Sequence, residues 1–266
     1  MKHFIQLHSS FCILLILLAN SAAQGNWLDF RGPDHNGFIN NSLPEVWSED
    51  ENVKWKTPLH DLGISTPAIL DDTIVLTAAT EDGAKNYFVI IDNESGEIIH
   101  DKLIFTNKDV EPLGGFGINT YATPSPVSDG QFVYLHYGTY GTACINPKTA
   151  AIIWERRDIN CLHYRGPASS PILYNNLLIL TMDGIDQQYV IALDKKTGET
   201  VWKTQRSTDF NDLIDGVPKA GGDLRKGFST PLVINIKGRY QLISIGAKTC
   251  FAYDPSNGKE IWFVEF

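Results

Sequence analysis

A recurring motif constrains this chain more than its composition does. Ala192-Leu193-Asp194-Lys195-Lys196-Thr197-Gly198-Glu199-Thr200-Val201-Trp202 returns as Ala252-Tyr253-Asp254-Pro255-Ser256-Asn257-Gly258-Lys259-Glu260-Ile261-Trp262. Weaker copies run from Ile90 through Asp92 and Gly96 to His100, and from Cys144 through Asn146 and Ala150 to Trp154. In all four, an acidic or amide residue stands eight positions before the closing Trp or His. A repeat this long means an array of similar units that bury their apolar faces against one another.

Each unit has two halves. The first opens on a proline and reads as strand, turn, strand: Pro67 to Leu76, Pro126 to Tyr134, Pro171 to Leu180, and a fourth copy from Pro231. Asp71-Asp72, Asp129-Gly130 and Asn175-Asn176 interrupt the apolar runs. These residue types tolerate the positive φ of hairpin turns. Proline at a strand start gives up an N–H where the loss costs least. The second half is the motif itself. Tyr189 to Leu193 alternates as a strand, and Asp194 to Gly198 turns the chain. There Asp bonds its own backbone and Gly supplies the left-handed position. Thr200 to Lys203 returns as the outer strand.

Two hairpins per unit predict a four-stranded antiparallel sheet, and sheets of this kind set around an axis make a β-propeller. The proline anchors are 59, 45 and 60 residues apart. The predicted blades are 65–104, 123–157, 168–205 and 228–265. Val53-Lys54-Trp55-Lys56 reads as a further outer strand with no blade of its own. The expected fold is therefore all-β, with four blades that form part of a larger ring. The expected division is 1–23 as a signal peptide, 24–64 as an N-terminal segment carrying the closing strand, and 65–266 as blades.

The Ala-x-Asp-x-x-Thr-Gly-x-x-x-Trp pattern at 192–202 resembles the tryptophan-docking repeat of pyrroloquinoline quinone (PQQ) enzymes and their non-enzymatic relatives. The opening Asn26-Trp27-Leu28-Asp29-Phe30-Arg31-Gly32-Pro33-Asp34-His35-Asn36-Gly37 is similar to the start of secreted bacterial PQQ-like β-propeller repeat proteins. The resemblance implies a ring of seven or eight blades, within the known range for propellers. It also implies that Trp154, Trp202 and Trp262 pack on glycine turns such as Gly198 and Gly258 of neighbouring blades. His100 replaces Trp in blade one and Ala150 replaces Gly in blade two, so looser docking is expected there.

The N-terminus reads as a secretory leader. Lys2 is the positive region, Phe11 to Ala19 the apolar run, and Ser21-Ala22-Ala23 the cleavage signal. A periplasmic or secreted protein is expected, cleaved near Ala23 and without a membrane span in the mature chain. The formal net charge of −9 argues against nucleic acid, whose phosphates need clustered Lys and Arg. Three cysteines lie beyond the leader, and a Cys144–Cys161 disulfide stays open as a reading.

Blade openings lie nearest a propeller axis. Six positions before the prolines stand Asp61, Thr120, Arg165 and Arg225. The two arginines are in register on consecutive blades and suit an anionic or carboxylate-bearing ligand, unless each pairs with an Asp within the chain. His163 and Tyr164 adjoin Arg165. Asp183, Asp186 and Gln187 belong to the same blade, and His136 and Tyr137 to the preceding one. The two arginines and these seven residues are the candidate channel face. The chain shows no catalytic constellation. The expected role is a binding or scaffolding module for an unknown protein or small polar ligand, with no cofactor. The alternatives are a quinoprotein-like oxidoreductase using PQQ with calcium, and a carbohydrate-binding or carbohydrate-processing propeller.

Overall fold

The computed structural model describes residues 25–39, 42–114, 117–215, 217–218 and 222–266. The leader predicted at 1–23 lies outside the described residues. Four four-stranded antiparallel sheets follow one another along the chain. The first contains β1 (Ala68–Leu70), β2 (Thr73–Ala79), β3 (Lys85–Asp92) and β4 (Ile98–Thr106). The second contains β5 (Val127–Ser128), β6 (Val133–His136), β7 (Thr142–Asn146) and β8 (Ala151–Arg156). The third contains β9 (Ile172–Tyr174), β10 (Leu177–Asp183), β11 (Gln188–Asp194) and β12 (Thr200–Gln205). A small hairpin, β13 (Leu213–Ile214) with β14 (Val217–Pro218), precedes the fourth sheet. That sheet contains β15 (Leu232–Ile236), β16 (Arg239–Ile245), β17 (Thr249–Tyr253) and β18 (Glu260–Glu265). These are the propeller blades that the repeat predicts.

The core lies between blades. Alternate side chains of a strand point to opposite faces, and the middle strands bury both. In β10 and β11, Leu178, Leu180, Tyr189, Ile191 and Leu193 face blade two, where they meet Val127, Tyr134 and Cys144. Ile179, Val190 and Ala192 on the opposite face meet Leu242, Phe251 and Tyr253 of blade four. Blades one and two enclose a third cluster around Phe88, Ile90, Leu135 and Ile145. Cys144, Cys161 and Cys250 are free thiols.

The motif performs one task in each blade. The side-chain oxygen of Asp92, Asn146, Asp194 or Asp254 accepts backbone N–H groups from the turn that follows it. Gly96, Gly198 and Gly258 then adopt φ of 76°, 75° and 72°. A Cβ at Gly198 would lie 2.7 Å from the Trp154 ring, and one at Gly96 or Gly258 would strike Trp55 or Trp202. Each indole N–H donates to the carbonyl just after the turn's Asp: Trp55 to Asn93 at 3.1 Å, Trp154 to Lys195 at 3.0 Å and Trp202 to Pro255 at 3.2 Å. The side chain two residues beyond each Trp caps the glycine carbonyl: Thr57 at 2.5 Å, Arg156 at 2.6 Å and Thr204 at 2.7 Å.

Two expectations change in detail. Residues 53–56 form no ladder, because no strand among the described residues pairs with them, yet Trp55 docks as its equivalents do. Trp262 does not dock on a neighbour's turn among the described residues. Its indole donates to Gln241 of its own blade at 2.8 Å, and it is 37% exposed. Between blades one and two, Tyr137 supplies the join. Its hydroxyl donates to the Tyr87 carbonyl at 2.7 Å, and its ring meets Phe105 edge-on at 5.8 Å.

Gly198→Ala combines a strained φ with a clash against Trp154, so it is expected to cost about 1–3 kcal/mol. Ala150 already sits at φ 55°, so Ala150→Gly is expected to stay within about 1 kcal/mol of the parent. Urea unfolding of both variants checks the contrast.

Candidate functional site

The blade openings form a ladder at the axis. Ser125, Ser170 and Thr230, each just before a proline anchor, carry hydroxyls that accept the backbone N–H of the equivalent residue one blade back. Thr66 donates to Ser125 at 2.8 Å, Ser125 to Ser170 at 2.9 Å and Ser170 to Thr230 at 3.0 Å. The separations of 59, 45 and 60 residues equal those of the prolines. Buried N–H groups need partners, and this ladder supplies them where no strand can.

Beside the ladder lie two adjoining cavities of about 450 and 350 Å³ that share Ile64, Thr123, Ala168 and Phe228. Ser125, Ser170 and Thr230 line the first, together with Arg31 and His35. Asn119 and Arg165 line the second. Arg165 therefore borders the axial space. Thr120, its counterpart, is tied to Thr123. Asp61 bonds His60 at 2.7 Å.

Arg225 does not join Arg165 at these cavities. Its guanidinium is held by Asp212 at 2.9 and 2.5 Å and lies over the Phe210 ring. Asp212 directly precedes the β13–β14 hairpin, an insertion that the register argument does not contain. The expectation of two arginines meeting one ligand is corrected accordingly.

The other candidates split into two groups. Asp186 and Gln187 brace a loop: the Leu162 N–H donates to Asp186 at 2.7 Å, and the Gln187 amide donates to the Asn160 carbonyl at 2.9 Å. The Tyr164 ring packs under the Arg165 guanidinium, 5.0 Å away. The Tyr164 and His163 N–H groups both donate to Glu111, each at 2.8 Å. His136, Tyr137, His163 and Asp183 are instead buried. Asp183 is clamped by Arg206 at 2.6 and 2.8 Å, and Arg206 also reaches Ser244 on blade four. His163 sits 2.7 Å from the buried amine of Lys226. Burial pushes His136 down to about 3. It also holds His163 well below its ordinary value. Burial raises Cys161 to about 12.

Arg31, His35 and Lys226 escaped the register argument because they lie outside the motif. The only signal was the dense Phe30-Arg31-Gly32-Pro33-Asp34-His35-Asn36-Gly37 run. Trp27 anchors it by a reciprocal bridge with Ile69. Arg31 bonds the Asn36 carbonyl at 2.8 Å. The Asp29 carboxylate, 3.2 Å from His35 Nδ1, raises the His35 pKa by accepting from the imidazole.

A family model described as outer membrane protein assembly factor BamB matches residues 120–265. The chain belongs to this family of PQQ-like repeat β-propellers. No curated protein matches the sequence. Among solved structures, BamB from Moraxella catarrhalis is 14% identical with a TM-score of 0.56 over 81% of this chain and 57% of that one. A quinohemoprotein alcohol dehydrogenase from Pseudomonas putida HK5 is 14% identical, with a TM-score of 0.59 over 91% of this chain and 40% of that one. The Comamonas testosteroni quinohemoprotein alcohol dehydrogenase is also 14% identical, with a TM-score of 0.54 over 77% and 35%. At this identity the likeness shows the fold alone. The PQQ-like chain spans about half the length of the BamB structure, and less of the dehydrogenases.

The buried histidines set an acid limit. Both are neutral in the fold and titrate near 6.5 once unfolded. Below that pH the unfolded state binds more protons, so stability present above about pH 6.5 falls on acidification. The loss is about 1.4 kcal/mol per pH unit for each histidine. For His136 it continues down to a pH of about 3. Urea midpoints measured between about pH 7 and pH 5 are expected to drop, and His136→Gln to flatten the slope.

Proposed function

We propose that this PQQ-like propeller is an exported binding module, and that its axial cavity takes a small anionic ligand such as a carboxylate. The carrying observation is the reversal of charge at that cavity. The chain has a net charge of −9, yet among the described residues the ionisable groups lining the axial space are Arg31, His35 and Arg165. Arginine presents a planar fork that matches a carboxylate. Ladder hydroxyls add neutral donors, and Phe228, Ile64 and Ile118 supply an apolar wall.

The donors do not fit a calcium-bound quinone. Calcium takes carboxylate and carbonyl oxygens, and among the described residues no Asp or Glu lines either axial cavity. Among the described residues, no group of three or more His, Cys, Asp or Glu could hold a metal ion. These features favour a binding role over the oxidoreductase reading. The family description, an assembly factor, agrees with a module that binds rather than transforms. Export agrees with the apolar run at 11–19. No helix among the described residues is long and apolar enough to cross a membrane.

Calorimetric titration with a panel of small carboxylates tests the reading. Arg31→Ala and Arg165→Ala are each expected to weaken binding about tenfold. Because the His35 pKa is raised above 6.5, its charged fraction grows as pH falls. Affinity should therefore rise as pH falls from about 8 to about 6. Binding indifferent to both arginines would overturn the anion reading. Tight uptake of PQQ with Ca²⁺, coupled to dye-linked alcohol oxidation, would overturn the binding-module reading.

A further inference from the structure

The cluster around Lys226 has a proton inventory that closes in one way. The Thr139 backbone N–H donates to His163 Nε2 at 3.0 Å. A backbone amide can only donate, so Nε2 carries a lone pair. Turning the ring over would put a carbon against that N–H. The neutral imidazole therefore bears its proton on Nδ1. Nδ1 lies 2.7 Å from Lys226 Nζ. An ammonium has three donors and no acceptor, so it would set N–H against N–H at hydrogen-bond distance. The contact is satisfied when Nδ1–H donates to the lone pair of a neutral amine.

The surroundings maintain that state. Lys226 is 6% exposed and His163 is 3% exposed. The carboxylates whose charge reaches Lys226 are Asp183 and Glu111. Asp183 is held by Arg206, and Glu111 by the backbone N–H groups of His163 and Tyr164. The Cys161 thiol lies 3.6 Å from His163 Nδ1, and burial keeps it protonated. His136 is neutral in its burial beside this group. Burial likewise holds the Lys226 amine below its ordinary value. Lys226 and Phe228 together line a further cavity of about 350 Å³. Lys226 Nζ is 5.3 Å from the Phe228 ring centroid, and Phe228, 43% exposed, lines both axial cavities.

We propose that Lys226 is a nucleophilic amine and a covalent attachment site for small carbonyl compounds that reach it from the axial cavity past Phe228. A neutral lysine adds to a carbonyl carbon, and a desolvated one does so at neutral pH. The Nζ lone pair forms the C–N bond, and the carbonyl oxygen leaves as water with both amine hydrogens. The product is an imine, and no oxidant or reductant takes part. Only the entry route rests on the axial-cavity reading. The amine itself follows from the His163 geometry.

Reductive alkylation of the intact protein with formaldehyde, then separately with glyoxylate, tests this at pH 7 in cyanoborohydride. Peptide mapping reads the rate at each lysine. Lys226 is expected to label about tenfold faster than exposed lysines such as Lys196, because a neutral amine adds to a carbonyl without first losing a proton. His163→Gln should remove that advantage, because its amide oxygen can accept from an ammonium. A Lys226 rate at or below that of Lys196 in the native protein would overturn the proposal, whether or not the variant folds. Arg165→Ala separates the two readings: loss of carboxylate binding with unchanged formaldehyde labelling at Lys226 leaves the amine standing alone.

Discussion

The contact on which the rest depends is an indole laid over a glycine turn. Three requirements meet there. The turn needs a left-handed residue, the indole needs a face without a Cβ, and its N–H needs an acceptor once buried. Gly198 meets the first two, and the Lys195 carbonyl meets the third. Trp55 on the Gly96 turn and Trp202 on the Gly258 turn repeat the arrangement. A four-stranded sheet with two apolar faces cannot stay folded in water unless both are covered. The docked Trp fixes how far one sheet slides over the next, and so fixes which residues meet in the inter-blade clusters.

That sliding distance has a consequence at the axis. Once outer edges are pinned, inner edges converge, and the residues before the prolines come within hydrogen-bond reach. The hydroxyl ladder exists because Ser or Thr stands at each such position: Thr66, Ser125, Ser170 and Thr230. A rigid axial ring leaves the longer connecting loops to differ. The cavities and their cations belong to those loops and to the N-terminal run, which follow no repeat.

This division explains what could be read from the sequence. Strands, turns and blade order were legible because period-two alternation and turn residues act within a few positions. The inter-blade bonds were partly legible. The tryptophans announce themselves, whereas the cap two residues later is Thr57, Arg156 or Thr204, a shared role without a shared residue type. The site was least legible. Arg165 and Arg225 hold the same offset from their prolines, yet they end in different places. Spacing along the chain carries no information about Asp212, which captures Arg225 from beside a hairpin that, among the described residues, only the fourth unit contains. Arg31 and His35 reach the axis from a segment that precedes every repeat.

Arg206 and Lys226, buried near the third blade, show how differently the fold treats two basic side chains. Arg206 meets a carboxylate, Asp183, in a bidentate pair that ties blade three to Ser244 of blade four. Such a pair keeps its charge because the geometry satisfies both partners. Lys226 meets an imidazole whose other nitrogen is already committed to the Thr139 N–H. An acceptor carboxylate at position 163 would have made a second ion pair and held the ammonium. The imidazole cannot accept on the nitrogen it presents. A buried lysine that is given a donor for a partner is kept as an amine, and an amine adjoining an aromatic side chain at the cavity wall is placed for chemistry that a salt bridge would suppress.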